Sequence, residues 1–439
     1  MLNYQELINK SKDYGFSAIQ VNEQLGESLE LYISNGNVEK NNTAKVMTVV
    51  IKAIYNDHVA TLELEDLNKD SDEILTELKE NASLITSSEL CEMYEGSKEY
   101  PNIPTLESDF NNYPTSKKIE MMKELEQKIK AVDKRIVAVP YCVYGEESGS
   151  LRIINSKGLN LFNKESECAI MAQVVAMGAS GASVGFTVNS KINLADLDFD
   201  KVITKSTKEA LDHLDAKSIA SGSYDCVIEN DAMNSLFSTF QSMHNGEAAL
   251  HKMAFLASKE GTKVFNEMVS IVDDPLIDHE EVLHKRGFDS EGVACYTKDV
   301  VKDGVFKGLL HNLKTAKAFN TKSTGNASDT SVRGFNTYIV PGTKSKEELL
   351  KDLNNGLLIT SFDGLHAGVN PVSGDFNLKC AGFVIENGSI VRPVTLIVMA
   401  GNFYKALNDN ICEIGSDLTF SRMTGAPSIL FKGLAISGE

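Results

Sequence analysis

Residues 224–240 read YDCVIENDAMNSLFSTF. This stretch passes from strand to helix with almost nothing between. Tyr224, Val227 and Ile228 belong to a short apolar run of the kind that fills a buried strand. After a polar turn, Met233, Leu236, Phe237 and Phe240 recur at i, i+3, i+4 and i+7, one face of a helix. A polar turn at such a junction is where α/β enzymes often place catalytic groups. Here it holds Glu229, Asn230, Asp231 and Asn234, with no His, Cys or Lys. Capping of the helix by Asn230 or Asp231 accounts for much of that polarity.

Downstream of this junction the chain is turn-rich and strand-dominated. Lys302-Asp303-Gly304 joins apolar runs at 293–301 and 305–310, and Glu386-Asn387-Gly388 joins 382–385 to 389–394. Such turns are strong hairpin signals. Helices are predicted over 345–353, where Ser345 and Glu348 form a capping box, and over 403–408. Upstream, the order is helix (4–14), strands (18–21, 29–33, 46–55) and helix (71–83), with Asn35-Gly36 and Asn56-Asp57 as turns. Residues 98–116, polar and with three prolines, read as a linker. A helix over 117–133 and a strand over 135–144 follow. The apolar run 168–186 is broken by Gly178, Gly181 and Gly185 and reads as two short strands and a turn, not a membrane span. A last helix at 204–214 precedes a boundary near Ala220-Ser221-Gly222-Ser223. The predicted class is α+β: α/β units at 1–97 and 117–220, then a large strand-rich domain at 221–439 with a mixed or antiparallel sheet.

Composition narrows the function. The chain has 439 residues, 42% apolar and 24% charged, as in soluble globular proteins. A formal net charge of -18 repels phosphates, so a nucleic-acid partner is not expected. The seven Cys (91, 142, 168, 226, 295, 380, 412) are scattered and never spaced as C-x-x-C. They read as small buried hydrophobes in a reducing compartment. The first fifteen residues, MLNYQELINKSKDYG, lack an apolar signal core, and a cytoplasmic location without membrane contact is expected.

Three further strings resemble chemistry. His279-Glu280-Glu281-Val282-Leu283-His284 has the letters of a zinc site, with His279 and His284 as ligands and Glu280 as general base. The usual H-E-x-x-H places its His about 40° apart around a helix, whereas i and i+5 stand about 140° apart. With Asp273-Asp274-Pro275 before it and Lys285-Arg286-Gly287 after it, the string reads as a solvated loop. His244, Glu247 and His251 have better helical spacing, but Asn245-Gly246 interrupts them, and a mostly exposed polar stretch is the reading. Lys322, Ser323, Thr324, Gly325 and Asn326 lack the lead-in and helix of a phosphate loop and read as a polar turn that could line a peptide cleft. No G-x-S-x-G elbow is present.

Six short segments occur in an order and spacing that resembles one family. They are Phe288-Asp289-Ser290-Glu291-Gly292-Val293; Leu313-Lys314-Thr315-Ala316-Lys317 followed by 322–326; Ser373-Gly374-Asp375-Phe376; Val384 to Gly388 (VIENG); Ala400-Gly401-Asn402; and Gly425-Ala426-Pro427. The family is TldD/PmbA, and the likeness is to its PmbA (TldE) branch. The resemblance implies a cytoplasmic metallopeptidase complex of a TldD and a TldE subunit that cleaves small or unfolded peptides and matures peptide antibiotics; the family was earlier described as modulating DNA gyrase. It implies that zinc sits in the TldD-like partner, on an H-E-x-x-x-H helix at the strand-to-helix junction and a distant Cys. By order along the chain, the matching positions here are Glu229 to Asn234, so Glu229, Asn230 and Asn234 stand where the ligands would be. Where the Cys would precede the final Gly-Ala-Pro, this chain has Phe420-Ser421-Arg422-Met423-Thr424. The implied role is a subunit with no catalytic metal or other cofactor of its own, paired with a TldD-like chain or with itself, and taking unfolded peptide. An autonomous zinc peptidase using His279, Glu280 and His284, and a non-enzymatic homodimeric peptide-binding protein, are the alternatives.

Overall fold

The computed structural model describes residues 2–64, 68–85, 93–179, 181–329 and 331–439. In the first half, helix α1 (Tyr4–Lys10) leads into strands β1 (Ala18–Ser34), β2 (Asn37–Tyr55) and β3 (His58–Leu64), then helix α2 (Ser71–Leu84). Helix α3 (Thr115–Val132) is followed by β4 (Ile136–Asn155), β5 (Asn160–Met177), β6 (Ala182–Lys191) and helix α4 (Phe199–Asp212). The strands form one antiparallel sheet in the order β3-β2-β1-β4-β5-β6. The units expected at 1–97 and 117–220 thus contribute to a single sheet, joined where β1 runs against β4 with Leu25 opposite Ser150. The strands are also longer than predicted. The polar residues of β1 between the two apolar runs find partners on both sides, in β2 and in β4.

One face of this sheet carries the helices. Leu7 of α1 and Ile74 and Leu78 of α2 pack with Ile19, Val49 and Ile51. Ile129 of α3 and Val202 of α4 pack with Cys142, Ile170 and Val174. Gly185, read from sequence as a break, lies inside β6 and serves closeness instead. A Cβ there would stand 2.0 Å from Ser206 O and 2.7 Å from Ala210 N, so α4 rests directly on the strand. The stretch 98–116 folds along the surface between the two halves: Tyr100 donates to Gly292 O at 2.7 Å, and Phe110 is buried.

The second half begins with β7 (Gly222–Ile228), helix α5 (Asn230–Ser238) and the short helix α6 (Gly246–Leu250). Strands β8 (Ile271–Asp273), β9 (Lys298–Lys302) and β10 (Val305–Phe306) precede helix α7 (Leu313–Ala318). Then come β11 (Ala327–Ser328), β12 (Ser331–Val332), β13 (Thr337–Ile339), helix α8 (Lys346–Leu353), β14 (Gly356–Asp363), β15 (Asp375–Glu386) and β16 (Ser389–Asn402). Helix α9 (Phe403–Lys405) continues as a π-turn over Ala406–Asn410, and β17 (Ile411–Ile414), β18 (Thr419–Ser421), β19 (Thr424–Ala426) and β20 (Ile429–Ser437) complete the order. One sheet runs β16-β15-β14-β7-β20-β17, and β20 pairs with β16 as well, so the strands close into a barrel. The pairing of β7 with β14 is parallel and that with β20 antiparallel, which makes the sheet mixed. A second sheet runs β10-β9-β8-β13-β19-β18.

The apolar face predicted for α5 is buried between these sheets: Met233, Leu236, Phe237 and Phe240 are all in the core, and Phe240 stacks on Phe403 with centroids 4.3 Å apart. The hairpin turns at 35–36, 303–304 and 387–388 all take positive φ at both residues, as the sequence requires. The capping box of α8 is formed as predicted. Five cysteines are buried and Cys412 is half-buried, while Cys91 lies outside the described residues. No helix among the described residues is long and apolar enough to cross a membrane.

Candidate functional site

The start of α5 turns away from any site. Asn230 N donates to Ser428 Oγ at 3.0 Å and Asn230 Nδ2 to Asp417 O at 2.9 Å. Lys346 of α8 donates to Glu229 Oε1 at 2.7 Å. The helix start is therefore held by Ser428, and the Asn230 carboxamide accepts from Asp231 N rather than capping the next turn. Of the positions Glu229, Asn230 and Asn234, only Asn234 faces the cleft described next.

A cleft of about 1380 Å³ lies between the first sheet and the loops of the second half. Its floor is Asn234 and the 3-10 turn Gln241–His244 that follows α5. Seven buried side-chain atoms among the described residues have no hydrogen-bond partner in the protein. Those on Asn234, Gln241, Ser242, His244 and His284 belong to cleft residues, and the others are on His58 and Thr187. Each such atom costs about 1–3 kcal/mol of lost hydration. Five of the seven thus belong to residues along one surface.

His244 is the clearest departure from the sequence reading. It is 1% exposed, not part of an exposed polar stretch. Asn245 is extended and ends the turn, so His244, Glu247 and His251 share no helix face. Leu310 N donates to His244 O, and Gly246 sits against Leu310 O and His311 Nδ1, each 2.6 Å from where a Cβ would be. Burial pushes the imidazole down to about 4, with Asp273 opposing, so it is neutral at ordinary pH.

Asp273 holds the neighbouring wall. Its carboxylate accepts from Lys298 Nζ (3.1 Å), Asn326 Nδ2 (2.8 Å), Thr337 Oγ1 (2.9 Å) and Phe335 N (2.5 Å). This fixes residues 333–336, which line the cleft. The stretch 322–326 is part of the same knot rather than of the cleft lining. Asn326 bridges Asp273 and Arg333 O, Ser323 and Thr324 donate to His311 O, and Gly325 packs on Ala294 O. Lys322 is exposed. The residues just beyond, 327–329, do line the cleft.

The segment 279–284, read from the sequence as a loop with a zinc site as the alternative, is an open turn without helix, so no face is shared. The His279 ring packs on Phe420 at 5.0 Å, Glu280 is exposed, and His284 Nε2 lies 3.4 Å from Glu167 Oε2 across the cleft without making a hydrogen bond. Glu281, which no motif singled out, ties the turn down by accepting from Thr419 Oγ1 and Phe420 N, both at 2.8 Å. No group of three or more His, Cys, Asp or Glu among the described residues could hold a metal ion. The cleft floor does not fit a catalytic zinc either: it offers one imidazole among amides and a hydroxyl, where zinc takes several imidazole, thiolate or carboxylate ligands.

The first sheet presents Glu147, Glu165 and Glu167, while the opposite loops present Arg286, Arg333 and Arg422, half of the six arginines in the chain, together with Glu281 and Asp329. Arg286 lies over the Phe335 ring at 4.8 Å. A smaller groove of about 580 Å³ between α3 and α4 is lined by Glu124, Lys128 and Asp198 beside apolar residues, and none of the orphaned buried atoms belongs to it.

Comparison with known proteins gives this geometry a context. Residues 221–438 match the family model of the PmbA/TldA metallopeptidase C-terminal domain, and 108–214 match that of its central domain. A metalloprotease PmbA homolog of Buchnera aphidicola subsp. Baizongia pistaciae is 28% identical over 323 residues, 73% of this chain and 70% of that one. A Thermotoga maritima structure described as a modulator of a DNA gyrase is similar over 99% of both chains, at 30% identity and a TM-score of 0.92. TldE of Thermococcus kodakarensis shares the fold over 99% of this chain and 100% of its own, at 20% identity and a TM-score of 0.87.

Proposed function

We propose a function on one premise: the chain belongs to the TldD/PmbA metallopeptidase family, on its PmbA branch. It is the subunit of a peptidase complex that receives unfolded peptide without carrying the catalytic metal. A TldD-like chain supplies the zinc and the hydrolysis. The present chain supplies the cleft of about 1380 Å³, in which the peptide lies as an extended strand.

One observation supports this above the rest. The cleft along and just after α5 is floored by Asn234, Gln241, Ser242 and His244, a set able to hold polar ligand groups but poor at holding a metal. The test is reconstitution with a TldD-like chain that carries the H-E-x-x-x-H helix and the distant Cys. Hydrolysis of an unfolded peptide is expected from the mixture alone, with zinc in the partner at one equivalent. Stoichiometric zinc in this chain, together with hydrolysis by it alone, would overturn the assignment.

A further inference from the structure

The unpartnered polar atoms around the cleft floor share a chemistry. Asn234, Gln241 and Ser242 carry no charge, and the buried His244 is held neutral. Asn234 and His244 are each only 1% exposed, yet both contribute to the cleft surface. Gln241 uses its amide NH₂ on Phe237 O at 3.2 Å and leaves its Oε1 unused. Neutral donors and acceptors set side by side complement a group that is itself neutral and presents both. A cation asks for carboxylates and an anion for cationic or backbone N–H donors. A peptide bond asks for what the floor offers: an acceptor for its N–H and a donor for its C=O.

We propose that this floor is a recognition site for the main-chain amides of an extended peptide, with Asn234, Gln241, Ser242 and His244 as its hydrogen-bonding groups. This rests on the peptide-receiving role argued above and adds what the cleft reads: backbone rather than side chains. The terminal torsions of Asn and Gln are soft, so an incoming strand can draw their amides to the surface at little cost. Without peptide, each orphaned atom is an unrepaid loss of hydration. With peptide, that loss is recovered, and the gain falls on any sequence able to lie flat.

The inference predicts opposite signs for stability and binding at the same residue. Asn234→Leu replaces an unsatisfied polar group by an apolar one of similar size, and thermal unfolding of that full chain is expected to stay the same or move upward. Gln241→Met removes the unused Oε1 as well but gives up the bond to Phe237 O, so it serves the binding measurement alone. Calorimetric titration with an N-acetylated, C-amidated Ala/Gly pentapeptide is expected to lose about tenfold in affinity per hydrogen bond removed. Ser242→Ala, the mildest change, guards against misfolding of the larger ones. A pentapeptide N-methylated on its backbone is expected to bind at least tenfold more weakly to the unaltered chain. Equal affinity for the methylated peptide overturns the proposal. So does a failure of the capped peptide to bind, or an unchanged affinity in a folded Asn234→Leu chain. Because this titration measures binding to the isolated chain, its failure is separable from that of the two-subunit reading, which stands or falls on where zinc and hydrolysis reside.

Discussion

His244 offers the sharpest physical test, because its environment is so far from water. Burial lowers its pKa from 6.5 to about 4. In the unfolded chain the ring takes up a proton below about pH 6.5, while in the folded chain it resists until about pH 4. A base with a lowered folded pKa contributes stability that is present above the unfolded value and lost as pH falls through the folded one. Linkage then gives a loss of about 2 kcal/mol on going from pH 7 to pH 5, approaching about 3 kcal/mol near pH 4. Other groups titrate over the same range, so the measurement is a difference. Urea unfolding of the wild type and of His244→Asn, which stays uncharged, is followed at both pH values with Phe-rich core signals of the second half. The gap between the two proteins should change by about 2 kcal/mol in the mutant's favour at pH 5. The proton-carbon resonance of the His244 ring gives the same pKa directly. A midpoint near 6.5, or a gap that does not move with pH, would refute the claim that this ring is buried without a hydrogen-bond partner.

Three further expectations follow from the packing. Asp273→Ala removes the acceptor for four donors and strands the nearly buried Lys298, so a destabilisation of about 3–5 kcal/mol is expected in denaturant titrations. Glu291 is pushed up to about 7, mainly by burial, while its hydrogen bond from Leu313 N opposes this. A carboxyl with a raised folded pKa stabilises fully below its unfolded value near 4.5 and loses that stability as pH rises through 7. Glu291→Gln should therefore flatten a fall of about 2–3 kcal/mol between pH 5 and pH 8, and an unchanged slope would count against it. Gly185→Ala forces a Cβ into the α4 backbone and should cost about 1–3 kcal/mol, read as a lower unfolding midpoint; full stability would show that α4 is free to move.

What the sequence reveals here follows the range of the interaction that decides each feature. The turns at Asn35-Gly36 and Asn387-Gly388, the apolar face of α5 and the Ser345–Glu348 box are local, and each is legible from a few neighbouring residues. The union of β1 with β4 is not, because residues more than a hundred positions apart meet across polar stretches with no apolar signature. The cleft floor is hidden for a similar reason. The backbone of His244 and Gly246 is held by Leu310, some 65 positions later, and only the tight seat of Gly246 against Leu310 and His311 leaves a trace of that contact. In its own neighbourhood it looks like one more polar residue beside Asn245. The string at 279–284 errs in the opposite direction, since its letters are local but the helix they would need is missing. The signal that could have found the floor is modest: Asn234 and Gln241, a helical i and i+7 pair, interrupt an otherwise apolar face.

The closure of the barrel sets an order on the making of the molecule. The sheet of the first half is complete once Lys191 has been synthesised, and its neighbouring strands are mostly hairpin partners, so it can form while the ribosome is still working. The barrel cannot. Its strand β7 is flanked on one side by β14 and on the other by β20, where Ile228 meets Ile429. Until that last strand emerges, β7 and β16 each keep an open edge, and the aromatic cluster of Phe237, Phe240 and Phe403 lacks part of its cover. The second half must therefore wait as an incomplete sheet for some two hundred residues of elongation. Over that interval the unpaired edge of β7 offers backbone donors and acceptors to any other strand.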